Sequence, residues 1–275
     1  MARASIREAW REFRWPEYRP FAWIMLAELV FIGLASSLGT AWGMKGAGWI
    51  MRTAGEPALH YPASFLFLSY AYARVEAVLF AVAGSFLIPL SLARIAEPEA
   101  DAASPARLPT AGRALRAYPA TFMGFLLSFA LLVAWEYLLP LGPSRWLHAF
   151  RGGIIGDLLT WIVGVLVAFA IAAIFVYVPV RAVSDGGSFG KSLIGGIGEG
   201  LRTLGPTLFI VLLFACPTLI FLAPVQLVPT LLVARFHPEL IAILIAIAAV
   251  LNSFVNYLIY SAVARFHWHD KRRDG

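Results

Sequence analysis

The chain has 275 residues, of which 60% are hydrophobic and only 14% charged, and it carries a formal net charge of +6. A soluble domain is about half apolar and a quarter charged, so this composition excludes an ordinary soluble fold and predicts a polytopic membrane protein. One cysteine, Cys216, excludes an internal disulfide, a thiolate zinc cluster and an iron–sulfur site.

The first element is Met1–Pro20. Arg3, Arg7, Arg11 and Arg14 fall on one stripe of a helix, and Ile6, Trp10 and Phe13 fall on another. Such a helix suits a membrane interface, with aromatics at the headgroup level and arginines for anionic lipid. Docking on a partner subunit or on the chain's own bundle is the alternative. Six apolar stretches follow, each near the roughly 20 residues that a span requires: Phe21–Gly43, Phe65–Arg94, Tyr118–Leu139, Ile154–Val180, Thr207–Val233 and Leu240–Ala264. Their length without alternation predicts helices, giving an all-α membrane domain over residues 21–266 and a basic tail over 267–275. The first span is longer than a cleaved signal's apolar core and follows a long amphipathic segment, although small residues recur at Ala35–Ser37.

With the N-terminus in the cytoplasm, the inner segments hold Arg3, Arg7, Arg11, Arg14, Arg19, Arg94, Arg107, Arg113, Arg116, Arg181, Lys191, Arg202, Arg265, Lys271, Arg272 and Arg273. The outer side holds Lys45, Arg52, Arg74, Arg145, Arg151 and Arg235. The positive-inside rule therefore predicts a bacterial inner-membrane protein with both termini cytoplasmic. The basic charge then reflects orientation, and no nucleic-acid partner is expected.

The inner loop after the fourth span reads SDGGSFGKSLIGGIGEGLR. Gly190, Lys191 and Ser192 match the end of a phosphate-binding loop, yet the position that needs the first glycine is Asp185, and Gly186 is one residue too close. A loop of about 25 residues after a span is also too short for a nucleotide domain, so no nucleotide is expected. Phe189, Leu193, Ile197 and Leu201 recur every four residues, with Lys191, Glu199 and Arg202 largely on other faces. This predicts an amphipathic elbow on the membrane surface, contacting lipid or a partner through Phe189, Lys191 and Arg202, with Ser184, Asp185 or Ser188 as its cap and glycines that allow close packing.

LRAYPATFMGFLL from Leu115 and LRTLGPTLFIVLL from Leu201 share Leu-Arg, Thr and Leu-Leu in register, through Leu115/Leu201, Arg116/Arg202, Thr121/Thr207, Leu126/Leu212 and Leu127/Leu213. Each marks an inner elbow entering an outward span. The spans accordingly read as three tandem hairpins, with interfacial helices at the N-terminus and before spans three and five.

The stretch VYVPVRAVSDGGSFGKSLIGGIGEGLR and the ending NYLIYSAVARFHWHD resemble a broad group of bacterial six-helix membrane proteins. That group includes the YciC-like proteins and the membrane domain fused to some glycerophosphodiester phosphodiesterases. The resemblance covers Leu108 to Asp270 and implies a six-helix membrane module of non-catalytic role. The phosphodiesterase chemistry of the fusions belongs to a separate soluble barrel and is not implied for this chain.

Glu28 lies about eight residues into the first span, roughly 12 Å deep at 1.5 Å per residue, and a carboxylate there is a functional candidate because burial is costly. A hydrogen-bonded structural glutamate is the plainer alternative. Asn252, Asn256 and Tyr260 stand at i, i+4 and i+8 on the sixth span and form a polar stripe, either packing glue or part of a substrate path. Arg74 and Glu76 are expected at the outer interface by their distance from Arg94, leaving Glu28 without a second intramembrane acid beside it. Glu136 and Asp157 are also expected at interfaces. Pro217, Pro224 and Pro229 either break the fifth span or let its outer end lie along the surface.

His60, His148 and His237 each occupy a different outer loop, and a symmetric bundle could bring them together on a metal. Chance placement is the simpler reading, and no metal or other cofactor is expected. His267, His269 and Asp270 are read as a solvated tail beside Lys271–Arg273. No Gly-x-Ser-x-Gly or His-Glu-x-x-His motif is present, so no catalytic residues are assigned and an enzyme is not expected. The function expected is that of a non-catalytic accessory or scaffold subunit of a larger membrane complex. The alternative is a transporter or lipid-handling protein using Glu28 and the Asn252/Asn256 stripe.

Overall fold

A computed structural model of the chain describes residues 2–37, 63–96, 109–138, 154–184, 188–228, 232 and 235–274. No strand occurs among these residues. The helices are α1 (Ala2–Arg11), α2 (Trp15–Ser37), α3 (Ala63–Leu79), α4 (Ser85–Ile95), α5 (Thr110–Leu138), α6 (Ile154–Phe175), α7 (Tyr177–Ser184), α8 (Phe189–Arg202), α9 (Leu204–Leu227) and α10 (Glu239–Asp274). A π-helical turn, Phe80–Gly84, joins α3 to α4. Among the described residues, six helical stretches are long and apolar enough to cross a membrane: Trp15–Ser37, Ala71–Ile95, Thr110–Trp135, Leu158–Ser184, Leu204–Leu227 and Glu239–Asp270. The chain is an integral membrane protein of the multi-pass kind.

The boundaries differ from the sequence-based ones for local reasons. Arg14 does not continue the N-terminal stripe: α1 stops at Arg11, and a short break precedes α2 at Trp15. Pro20 lies inside α2 rather than ahead of it. Its sixth position costs one backbone hydrogen bond near the helix start. Pro217 and Pro224 lie inside an uninterrupted α9, so neither breaks it. Pro229 lies outside the described residues, as do Asp185, His60 and His148. The expected interfacial helix before span three is not separate, because Leu115 and Arg116 sit in the body of the 29-residue α5. The corresponding Leu201 and Arg202 close α8, and Thr203 separates it from α9. Likewise α10 runs unbroken to Asp274, through the segment expected to be a solvated tail.

The described residues form two compact units, one of Met1–Ala22, Phe80–Ala215 and Phe254–Gly275, the other of Trp23–Leu79 and Cys216–Ser253. In the second unit a core of Ile32, Phe65, Leu68, Tyr72, Val225, Ile241, Ile245 and Ala249 is buried. In the first unit small residues make the closest packing. Gly196 lies so near α7 that a Cβ would stand 2.6 Å from the Cα of Val178, and a Cβ on Gly200 would overlap the carbonyl of Ile174 in α6. With Ser192 these glycines form a small-residue stripe at four-residue spacing, a common device for bringing membrane helices together.

On α8, Phe189 and Leu201 of the apolar stripe are exposed, Leu193 and Ile197 are half-buried, and Ser192, Gly196, Glu199 and Gly200 are buried. In α1, Ser5 and Ala9 are buried and Trp10 is exposed. In α5, Ala114, Ala117 and Ala120 are buried while Leu115 is exposed. Lipid tails are as apolar as leucine, so large side chains can face outward and small ones bring backbones together.

Candidate functional site

In the second unit, α2 and α3 are packed through Ile32, Phe65 and Leu68, and this contact sets two ionisable groups side by side. Glu28, one turn before Ile32, is only 2% exposed. The Tyr72 hydroxyl approaches its Oε2 at 3.5 Å, longer than a usual O–H···O hydrogen bond, and its buried Oε1 has no hydrogen-bond partner among the described residues. Glu76, one turn after Tyr72 on α3, lies within electrostatic range of Glu28. The Asn252 side-chain amide of α10 donates to Glu76 Oε1. Four polar side chains thus meet inside an apolar core: Glu28, Tyr72, Glu76 and Asn252.

This arrangement corrects two expectations. Glu76 is half-buried among these groups rather than placed at an interface among loop charges, and Glu28 does have a second acid beside it. A residue count along one helix gives depth to within a turn, but not which neighbouring helix supplies the partner. The expected stripe on α10 also divides. Asn252 joins the carboxylates, Asn256 is half-buried, and Tyr260, in the first unit, packs its ring 6.1 Å from Phe21.

The first unit holds a second polar network. Glu199 of α8 is buried; its Oε1 pairs with His267 Nδ1, and its Oε2 lies 3.5 Å from Arg181 Nε of α7. A Cβ on Gly195 would collide with the Arg181 guanidinium, so this glycine makes room for the arginine. Arg202 pairs with Asp270 at 2.6 Å, and Trp268 donates to Ser184. Arg181, Glu199, Arg202, His267 and Asp270 line a cavity of about 360 Å³. His267, only 2% exposed, is therefore a structural group and not part of a solvated tail. The periodicity of the elbow places Glu199 on a polar face. The signal that points to its burial is the Ser192-Gly196-Gly200 stripe, which seats the adjoining Glu199 against its neighbours.

The expected contact residues near the N-terminus are placed as follows. Arg3, Arg7, Arg11 and Arg14 are exposed, and α1 is held against α10. The Trp10 and Phe13 rings lie 5.8 and 5.7 Å from Phe254, Glu8 pairs with His269 at 3.0 Å, and Glu12 pairs with Arg265 at 2.6 Å. Of the two readings of this segment, docking on the chain's own bundle describes these contacts. Lys191 is exposed in the first turn of α8, and Ser192 is buried in the helix. Ser188 is the N-cap residue of α8 but makes no side-chain capping bond. His237 is exposed, and among the described residues no trio of His, Cys, Asp or Glu could hold a metal ion.

No protein-family profile, curated protein or solved structure matches this chain.

Proposed function

We propose that this integral membrane protein is a transporter whose coupling site is the Glu28–Tyr72–Glu76–Asn252 group. The observation that carries the reading is the burial of Glu28 beside Glu76 in membrane-length helices, with one Glu28 oxygen unpartnered among the described residues. Intramembrane ionisable side chains are costly and typically mark ion pathways and proton relays. Two carboxylates in apolar surroundings repel each other strongly, and a proton or a small cation between them relieves that repulsion. The Tyr72 hydroxyl and the Asn252 amide supply neutral polar groups around such an ion. The accessory-subunit reading draws on the lack of a catalytic motif, the small loops and the interfacial elbows, and it assigns no role to a second acid beside Glu28. The distribution of basic residues supports a bacterial inner-membrane location with both ends in the cytoplasm.

The test uses a hydrophobic carbodiimide, which enters membranes and modifies protonated carboxyl groups shielded from water. Peptide mapping of the full chain should find the adduct on Glu28 or Glu76, reduced by sodium or by raised pH, and absent from Glu28→Gln/Glu76→Gln. In proteoliposomes, wild type should support charge-driven uptake of protons or radioactive sodium that this double variant lacks. Absence of adduct at both positions, together with equal flux in wild type and variant, would refute the transport reading.

A further inference from the structure

The first unit has a second, larger cavity, of about 860 Å³, where α2 and α5 begin and α4 ends. Its wall carries Arg14, Arg19 and Arg94, with Trp15, Leu90 and Thr110 beside them. Three membrane-length stretches begin or terminate here, so the cavity lies at the level of lipid headgroups.

We infer that this cleft binds the phosphate group of an anionic phospholipid. Three guanidinium groups face it, and one carboxylate, Glu17, stands among them. Glu17 is already engaged: it accepts a hydrogen bond from Tyr257 at 3.1 Å and lies 4.0 Å from Arg14. The cleft therefore keeps an excess of positive charge. Arg94 is fixed by donating to the carbonyl of Pro16, which ties the end of α4 to the start of α2. Guanidinium groups present a planar fork of donors that matches phosphate oxygens. The first turn of α5, with Thr110 and Ala111 on the wall, adds the favourable end of a helix dipole for an anion. Apolar atoms complete the wall. They come from Trp15, which is 61% exposed, from Pro16 and from the half-buried Leu90. A soluble phosphate would use only the arginines, whereas a phospholipid also covers the tryptophan and leucine. The volume falls within the roughly 300–1,000 Å³ typical of ligand clefts.

The experiment is native mass spectrometry of the full-length protein in mild detergent, titrated with dioleoyl phosphatidylglycerol, dioleoyl phosphatidylcholine or inorganic phosphate. We expect phosphatidylglycerol to be retained in preference to phosphatidylcholine. Arg14→Gln/Arg19→Gln should bind it about 30-fold more weakly, from about fivefold per arginine at the membrane surface. Arg3→Gln/Arg7→Gln/Arg11→Gln, on α1 and outside the cleft, should bind as wild type does. Should the Arg14/Arg19 pair not fold, Arg19→Gln alone, with its fivefold loss, decides. Unchanged affinity in a folded cleft variant, or loss confined to the α1 variant, overturns the proposal. Displacement of the lipid by millimolar inorganic phosphate assigns the cleft to a soluble phosphate compound and overturns the lipid assignment.

Discussion

Helix α8 contains glycines in contrasting surroundings, so a set of alanine substitutions within 14 residues tests how the inner part of the first unit is packed. At Gly198 a Cβ would meet nothing within 4 Å, and Gly198→Ala should gain the ordinary helix-propensity difference of about 1 kcal/mol. At Gly195 the obstacle is the end of the Arg181 side chain, which can rotate away at the cost of its ion pair with Glu199. Gly196 and Gly200 differ in kind because their neighbours are backbone atoms. A Cβ at Gly196 would stand 2.6 Å from Val178 Cα and 2.9 Å from its nitrogen, and one at Gly200 would stand 2.7 Å from Ile174 Cα while overlapping its carbonyl oxygen. Normal contact begins near 3.4 Å, so from contacts of 2.6 Å at Gly196 and 2.0 Å at Gly200, α8 must retreat by about 0.8 Å at the first and about 1.4 Å at the second. Overpacking of this kind costs about 1–3 kcal/mol or more, exceeding the propensity gain. Thermal unfolding of the purified variants in one detergent should therefore rank Gly198→Ala above wild type, then Gly196→Ala, then Gly200→Ala. If Gly200→Ala melts with Gly198→Ala, the α8 seam is not closely packed and the account of Glu199 burial fails with it.

Tyr177 is fully buried and its hydroxyl lies 3.0 Å from Thr207 Oγ1, with Thr203 as a second partner, so Tyr177→Phe should cost about 1 kcal/mol, and Thr207→Val, which leaves the phenol its bond to Thr203, no more than that, both read from unfolding midpoints. The proposed orientation puts both ends of the chain in the cytoplasm; in a Cys216→Ser background, a cysteine at Ala2 and one at Asp274 should both be labelled by an impermeant maleimide only after cell disruption, and labelling of either in intact cells counts against the orientation. Glu12→Gln, which removes the ion pair to Arg265, should have a small effect, within about 1 kcal/mol because Glu12 is half exposed, and a larger loss would mean that α1 supports the fold more than its contacts indicate.

Much of the architecture is legible from composition alone. The six apolar runs coincide with the six membrane-length helices because hydropathy and length leave a segment in lipid few alternatives. Glu28 is equally legible, since a lone carboxylate in an apolar run stands out. Its neighbours are not: Tyr72 and Glu76 come from another helix, and relative register between helices is written in side-chain packing rather than in any local pattern. Periodicity finds the apolar stripe of α8, whose ends Phe189 and Leu201 are exposed, but it does not find the face packed on the protein. In a bilayer, contact between backbones sets the packed face, and Ser192, Gly196 and Gly200 take it. The Leu-Arg repeat marks two equivalent positions in sequence, yet one lies inside a continuous helix and the other at a helix end, because Thr203 ends α8 whereas α5 runs on past Arg116.

The contacts of α1 with Phe254, Arg265 and His269 join residues more than 240 positions apart in the sequence. During synthesis α1 emerges before this docking surface exists, and it stays unpartnered there while more than 240 further residues are translated and inserted. Its seating is thus a late event that follows the synthesis of α10, and a product stopped short of Phe254 leaves Trp10 and Phe13 without that aromatic partner.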